Sequence, residues 1–192
     1  MNSLANSNHS ELLEDISEVL ISTAEIQERV QSMGETISRD YAGLNPLLVG
    51  VLKGVIFFMA DLLRAITIPV EADFMAVSSY SVEARDRGFV RLLKDLDIPI
   101  SGRHVLFVED VVDTGLTLNY LLGNLRTRHP ASLEVCALFD KPRHRLIDVP
   151  LKYRGFELPD RFVVGYGLDY RERYRNLPFV GLLSPQALYG KP

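Results

Sequence analysis

An α/β fold, with a mainly parallel central sheet flanked by helices, is predicted by three observations. Short apolar runs without polar alternation recur along the chain, as expected of strands buried on both faces. Amphipathic helical stretches stand between them, the pattern of βαβ units. The runs end on polar pairs, Lys53-Gly54, Ser79-Tyr80, Glu109-Asp110 and Asp140-Lys141, at the strand ends where such sheets bind ligands. The elements follow in order. Ser10 reads as the cap of a first helix through Glu11, Leu12, Leu13, Glu14, Asp15 and Ile16. Thr23 reads as the cap of a second, with Ile26, Val30, Met33 and Ile37 on one face. LLVGVL at 47–52 is a buried strand, followed by a helical stretch over 54–66 and a strand-like VEADFMAVSS from Val70. HVLFVED, the helix TGLTLNYLLGNLRTR and SLEVCALFD repeat the alternation, and FVVGYG and FVGLL add two strand-like runs. SYSVEARDRG at 79–88 is charged and aperiodic, and reads as a loop beside the strand ends.

Composition narrows the function classes. The 192 residues hold 21 Lys+Arg and 25 Asp+Glu, a formal net charge of -4, with 47% hydrophobic residues. That balance excludes intrinsic disorder and supplies one well-covered core, so residues 1–192 are expected to form a single domain. No repeat of 20–50 residues is visible, which excludes solenoids and propellers. The longest apolar stretch, GVIFFMADLLRAI, is broken by Asp61 and Arg64 and falls short of the ~18 residues of a membrane span. The polar, then acidic, N-terminus is not a secretory signal. The single cysteine, Cys136, excludes a disulfide framework and reads as a small buried hydrophobe. A soluble cytoplasmic protein with no membrane partner is expected. His9, His104, His129 and His144 are scattered without zinc-ligand spacing. The basic clusters KPRHR at 141–145 and RERYR at 171–175 sit in an acidic chain. They read as local attraction for a polyphosphate rather than for nucleic acid.

The most informative stretch is HVLFVEDVVDTGLT at 104–117. A buried strand runs into two adjacent acids, Glu109 and Asp110, then into Asp113, Thr114, Gly115, Leu116 and Thr117 at the opening of a helix. The turn and helix N-terminus can direct several N–H groups at one phosphate, with the two threonine hydroxyls adding donors. Gly115 permits close backbone approach. The two acids repel phosphate but suit ribose hydroxyls or a hydrated Mg²⁺. Cradle and acids together describe a ribose 5-phosphate site. Neither GxxxxGK[ST] nor GxGxxG is present, which removes the nucleoside triphosphatase and dinucleotide readings.

VLFVEDVVDTGLTL resembles the phosphoribosyl-diphosphate signature of the type I phosphoribosyltransferases. VGVLKG at 49–54, SSY at 78–80, LFDKP at 138–142 and PDRFVVGYGLDYRERYRNLP at 159–178 resemble the hypoxanthine (hypoxanthine-guanine) branch, in its order. The resemblance implies that fold, with a small hood formed by the terminal segments, and Mg²⁺ as cofactor. It implies a homo-oligomer, dimer or tetramer, that takes phosphoribosyl diphosphate and a 6-oxopurine. Lys53 and Gly54 resemble the diphosphate loop, which implies a cis peptide at Leu52-Lys53. Glu109 and Asp110 match the acids on the ribose hydroxyls, 113–117 the 5-phosphate cradle, and Asp113 the general base. Arg175 matches an arginine on the diphosphate, and Asp169 an acid that holds a second Mg²⁺ through water. Lys141 matches the purine reader, its ammonium donating to O6, with Phe162 stacking on the base and the Val163 backbone reading its edge. Ser79 and Tyr80 resemble the tip of a mobile loop. That loop is often rich in Gly and Ser, whereas here it reads VEARDR at 82–87.

The expected reaction is purine salvage, making IMP, and GMP where guanine fits. Two rivals are a guanine- or xanthine-preferring enzyme and a non-catalytic RNA-binding attenuator on the same fold. Asp113, Lys141 and the acidic balance argue against the second.

Overall fold

The computed structural model describes residues 12–79 and 90–189. Ser10, Glu11, Tyr80 and the rest of the charged segment to residue 89 lie outside the described residues. In chain order the elements are β1 (Ile16–Ile21), α1 (Thr23–Asp40), β2 (Leu47–Leu52), α2 (Ile56–Ala65), β3 (Glu71–Ser79) and β4 (Val90–Lys94). There follow β5 (His104–Val112), α3 (Leu116–Arg126), β6 (Ser132–Asp140), β7 (Tyr153–Glu157), β8 (Val163–Val164), β9 (Val180–Leu183) and α4 (Pro185–Tyr189). Residues 29–160 form one compact unit, and the segments on either side form a second.

The larger unit is built on a six-stranded sheet in the order β4-β3-β2-β5-β6-β7. Its strands pair in parallel except for β4, antiparallel to β3. The apolar runs are apolar because both sheet faces are covered: Leu47, Leu48, Val49, Val105, Leu106, Phe107 and Val108 are all fully buried. Helix α3 contributes Leu118, Leu121, Leu122 and Leu125, one stripe at 3–4-residue spacing, to the core that holds Val49, Phe107 and Val135. Cys136 is buried in β6, and burial pushes its thiol up, as suits a small hydrophobe. The chain passes from β2 to β3 on one side and from β5 to β6 on the other, so strand order reverses between β2 and β5. The crevice of an open α/β sheet lies at that point, beyond the carboxyl ends.

The smaller unit holds a three-stranded antiparallel sheet, β1-β9-β8, so the terminal runs FVVGYG and FVGLL shorten to two strands outside the parallel sheet. One expectation is corrected here. Ile16 does not continue a capped helix: among the described residues helix ends at residue 14, and Ile16 opens β1, paired with Leu183. Long-range backbone pairing outweighs the local helical spacing. The cap of α1 is also one residue earlier than expected. Ser22 Oγ accepts from Glu25 N at 3.3 Å and the Glu25 carboxylate accepts from Ser22 N at 2.8 Å, a capping box. The predicted face holds, since Ile26, Val30, Met33 and Ile37 are buried. Among the described residues no helix is long and apolar enough to cross a membrane.

One buried acid closes the β4 side of the sheet. Asp73 in β3 accepts from the backbone N–H groups of Phe74 (2.7 Å), Asp97 (2.7 Å) and Ile98 (2.9 Å), with Lys94 Nζ at 3.5 Å. Burial alone would raise its pKa, but these donors and the ammonium outweigh it and hold the carboxyl below its ordinary range. Asp73→Ala leaves three donors without their acceptor, and a loss of about 2–4 kcal/mol is expected in denaturant unfolding. The folded pKa lies below the unfolded one, so the stabilisation is complete above about pH 4. It fades as the pH falls further, where the wild-type advantage over Asp73→Asn should close.

Candidate active site

At the strand-order reversal, a cavity of about 260 Å³ is lined by Lys53, Gly54, Glu109, Asp110, Asp113, Thr114, Gly115 and Thr117, together with apolar residues of the same strand ends. Eight of the expected site residues thus meet on one wall, from β2 and β5, two strands that neighbour each other but stand more than fifty residues apart in the chain. The Leu52-Lys53 peptide is cis. Leu116, the first residue of α3, donates its N–H to Thr114 Oγ1 at 3.4 Å.

Helices α2 and α3 both start here, and neither N-terminus has a side-chain cap. Their first amides keep the partial positive charge of a helix start, which suits an anion. Gly115 enters α3 at φ +81°, in the left-handed region, and a Cβ there would stand 2.4 Å from the Ile147 carbonyl oxygen. Only glycine meets both demands.

That contact belongs to a wider seam. Lys141 N donates to Val112 O at 3.0 Å, and Leu146 N and Ile147 N both donate to Thr114 O at 2.9 and 3.1 Å. The 141–147 segment, with its short 3₁₀ turn Pro142–His144, is thereby fastened to the 112–115 loop. The seam fixes the backbone that carries Lys141, which is not among the residues lining the cavity. It also carries a residue to which the sequence assigned no role. His144 Nδ1 lies 2.9 Å from Asp113 Oδ1, and its Nε2 contacts Asp160 Oδ1. No local pattern announces this, because the three residues come from separate loops.

The acids are not equivalent. Burial first, and the charge of Asp110 second, push the Glu109 carboxyl well above its ordinary range. Asp110 Oδ1 accepts from Val111 N at 2.7 Å. Two hard oxygen donors side by side, one of them penalised for its charge, fit a hydrated Mg²⁺ that brings further oxygens with it. Among the described residues, no group of three or more His, Cys, Asp or Glu forms a metal cage. A second hollow, about 370 Å³, is lined by Asp140, Arg145, Asp148 and Arg154 among others. Its buried acid, Asp140, is already paired with both arginines, so it offers little charge to a ligand.

The smaller unit carries the other expected residues. Phe162 is 48% exposed, edge-on to Tyr170 with ring centres 5.4 Å apart, so it is no core residue. Val163 is buried in β8 opposite Leu182. Asp169 Oδ1 pairs with Arg175 Nη2 at 2.8 Å, and Arg175 Nη1 donates to Gly167 O at 2.7 Å. The loop between them is strained, with Arg171, Glu172 and Tyr174 at φ of 55°, 63° and 74°. Tyr174 Oη anchors it on Asp15 at 2.6 Å. Ser79 is the last residue of β3.

Comparison with known proteins agrees with this geometry. The family model described as phosphoribosyl transferase domain matches residues 22–171. The chain is 52% identical to a hypoxanthine-guanine phosphoribosyltransferase of Mycobacterium avium, over 90% of this chain and 88% of that one. It is 49% identical to the enzyme of that name from Bacillus subtilis, over 89% and 95%. Its fold is similar to a solved hypoxanthine phosphoribosyltransferase of Staphylococcus aureus, with TM-score 0.89, 42% identity and full coverage of both chains.

The raised pKa of Glu109 sets a stability cost that a ligand would relieve. Above about pH 4 the unfolded carboxyl ionises freely and the folded one resists, so the penalty appears with rising pH. Glu109→Gln is therefore expected to raise the melting midpoint of the free protein at pH 8 by about 2–4 °C, the worth of ~1 kcal/mol in a chain of this size. The gain should vanish in melts near pH 4.

Proposed function

Because the chain belongs to the phosphoribosyl transferase family, in its hypoxanthine-guanine branch, we propose that it salvages purines. It transfers the 5-phosphoribosyl group of phosphoribosyl diphosphate to hypoxanthine, and to guanine, giving IMP and GMP with release of diphosphate. The observation that carries this reading is the cavity at the strand-order reversal, where the start of α3, which Gly115 leaves without a cap, shares one wall with Lys53 and two adjacent acids.

The residues divide the work by charge. The amides of 114–117 and the hydroxyls of Thr114 and Thr117 hold the 5-phosphate at the start of α3. Glu109 and Asp110 accept from the ribose hydroxyls. Lys53 and the Gly54 backbone, with Arg175, take the charge of the diphosphate. As the C1–oxygen bond breaks, its electron pair leaves with diphosphate, and purine N9 bonds to C1 from the opposite face. Asp113 receives the proton that the five-membered ring of the purine gives up. Catalysis of this kind rests on positioning and on stabilising charge that develops in the transition state. Mg²⁺, where bound, neutralises diphosphate charge, and Glu109, Asp110 and Asp169 are the residues that would hold it, directly or through water.

Lys141 donates to O6 of the base. Hypoxanthine offers a carbonyl acceptor there, whereas adenine offers an amino donor that faces a second donor. Phe162 offers an exposed ring face for stacking, and the Val163 backbone reads the base edge. Work in the cytosol suits the single buried cysteine.

A base panel tests the function: protein, Mg²⁺ and phosphoribosyl diphosphate with each purine, read by diphosphate release. Hypoxanthine and guanine are expected to turn over and adenine to be poor; release with none of the 6-oxopurines overturns the reading. In the same assay Lys141→Ala should lower kcat/KM for hypoxanthine by about 2–3 kcal/mol, roughly 30- to 150-fold. Adenine should stay poor, so the ratio of the two bases shrinks; an unchanged ratio places the discrimination elsewhere.

Titration calorimetry addresses the metal. Glu109, Asp110 and Asp169 present negative charge to an anionic substrate, so phosphoribosyl diphosphate should bind at least about tenfold more weakly after chelation. Equal affinity with and without Mg²⁺ removes the metal from the reading.

A further inference from the structure

Asp113 is not presented alone. Its Oδ1 lies 2.9 Å from His144 Nδ1, and the far nitrogen of the same ring contacts Asp160 Oδ1. A neutral imidazole has one donor and one acceptor, whereas a carboxylate only accepts. A ring with a carboxylate oxygen against each nitrogen is satisfied on both sides only as the doubly protonated cation, which donates to both. The backbone enforces the alignment. His144 ends the 3₁₀ turn, and the residues flanking that turn are tied to Val112 O and Thr114 O, on either side of Asp113. Asp160 is placed in turn by Leu158 N, which donates to Asp140 O at 2.8 Å at the end of β6. His144 thus stands between two carboxylates, and main-chain bonds hold the segments that carry all three residues.

We propose that His144 is the positioning residue of the general base, with Asp160 holding the imidazole from behind. The inference rests on the assignment of Asp113 as the base. His144 occupies Oδ1, which fixes the rotation of the carboxylate and leaves Oδ2 as the oxygen for the purine proton. Its second ring nitrogen, held against Asp160, keeps the ring in that orientation. Neither effect involves contact between His144 and a substrate. Both vanish when the ring is removed, and both return with any side chain that presents two N–H donors and a charge, as arginine does.

Steady-state kinetics on Asp113→Asn, His144→Leu, His144→Gln, His144→Arg and the Asp113→Asn/His144→Leu double variant test this. The side chain of His144 is 42% exposed, so all are expected to fold. A positioned base is worth about 10²–10⁴-fold, and loss of its orientation should cost a part of that. His144→Leu should lower kcat by about 10- to 100-fold and leave KM for phosphoribosyl diphosphate within about twofold. His144→Gln, with a single donating nitrogen and no charge, should lie between Leu and wild type, and it serves alone if the leucine variant is unstable. His144→Arg should restore kcat to within about threefold of wild type. Residues acting as one unit are not additive, so the double variant should be no more than about twofold slower than Asp113→Asn. A wild-type kcat in His144→Leu or His144→Gln, no rescue by arginine, or a full further loss in the double variant overturns the proposal. If Asp113→Asn itself turns over normally, the assignment of the base has failed instead.

Discussion

Two helices begin where β2 and β5 end, and the N-cap residue of neither, Val55 or Gly115, supplies a side-chain cap. An N–H left open at a helix start is a cost unless water or a ligand answers it. Here the start of α3 lines a cavity that also gathers Lys53, Thr114 and Thr117. The rest of the larger unit serves to hold that arrangement. The reversal of strand order puts the two helix starts side by side, and the fully buried strands beneath them fix their spacing. A sheet that was exposed on one face could not give the same rigidity, because its strands would lose the packing that sets them.

The seam between 112–115 and 141–147 has a mechanistic meaning. One carbonyl, Thr114 O, accepts from two amides, and Gly115 lies against Ile147 too closely for any side chain. The 112–115 loop and the segment that carries Lys141 are therefore tied to each other. On the proposed function, a phosphate that orders the loop would order Lys141 as well, one physical route from a filled phosphate site to a prepared base site. The same seam carries His144 to Asp113.

Charge at this site is arranged against the stability of the free protein. Glu109 sits beside Asp110 at a strand end, with its ionised form disfavoured by burial and by its neighbour. Asp73 shows how the fold treats an acid whose role is only structural, meeting it with three N–H groups and an ammonium. The contrast between the two acids in one sheet makes Glu109 a candidate for facing a ligand. In the smaller unit Asp169 and Arg175 pair with each other across a strained loop.

The parallel sheet, and the residues that meet at its strand-order reversal, were legible in the sequence. Continuous apolar runs, a glycine between two hydroxyls and adjacent acids at a buried strand end are local signals, and each has one cheap physical explanation. It misjudged Ile16 and missed β1, β4 and β7, because short strands take their identity from partners far along the chain. Ile16 pairs with Leu183, and Tyr153 with Cys136. Phe162 carried no signal that it would stand exposed, since an aromatic next to two valines reads as core. Only tertiary structure brought β2 against β5, laid Ile147 on Gly115 and set His144 between Asp113 and Asp160. The reason is one of distance. Periodicity reports what a residue's own segment will bury, whereas a hydrogen bond between separate loops depends on where the whole sheet carries them.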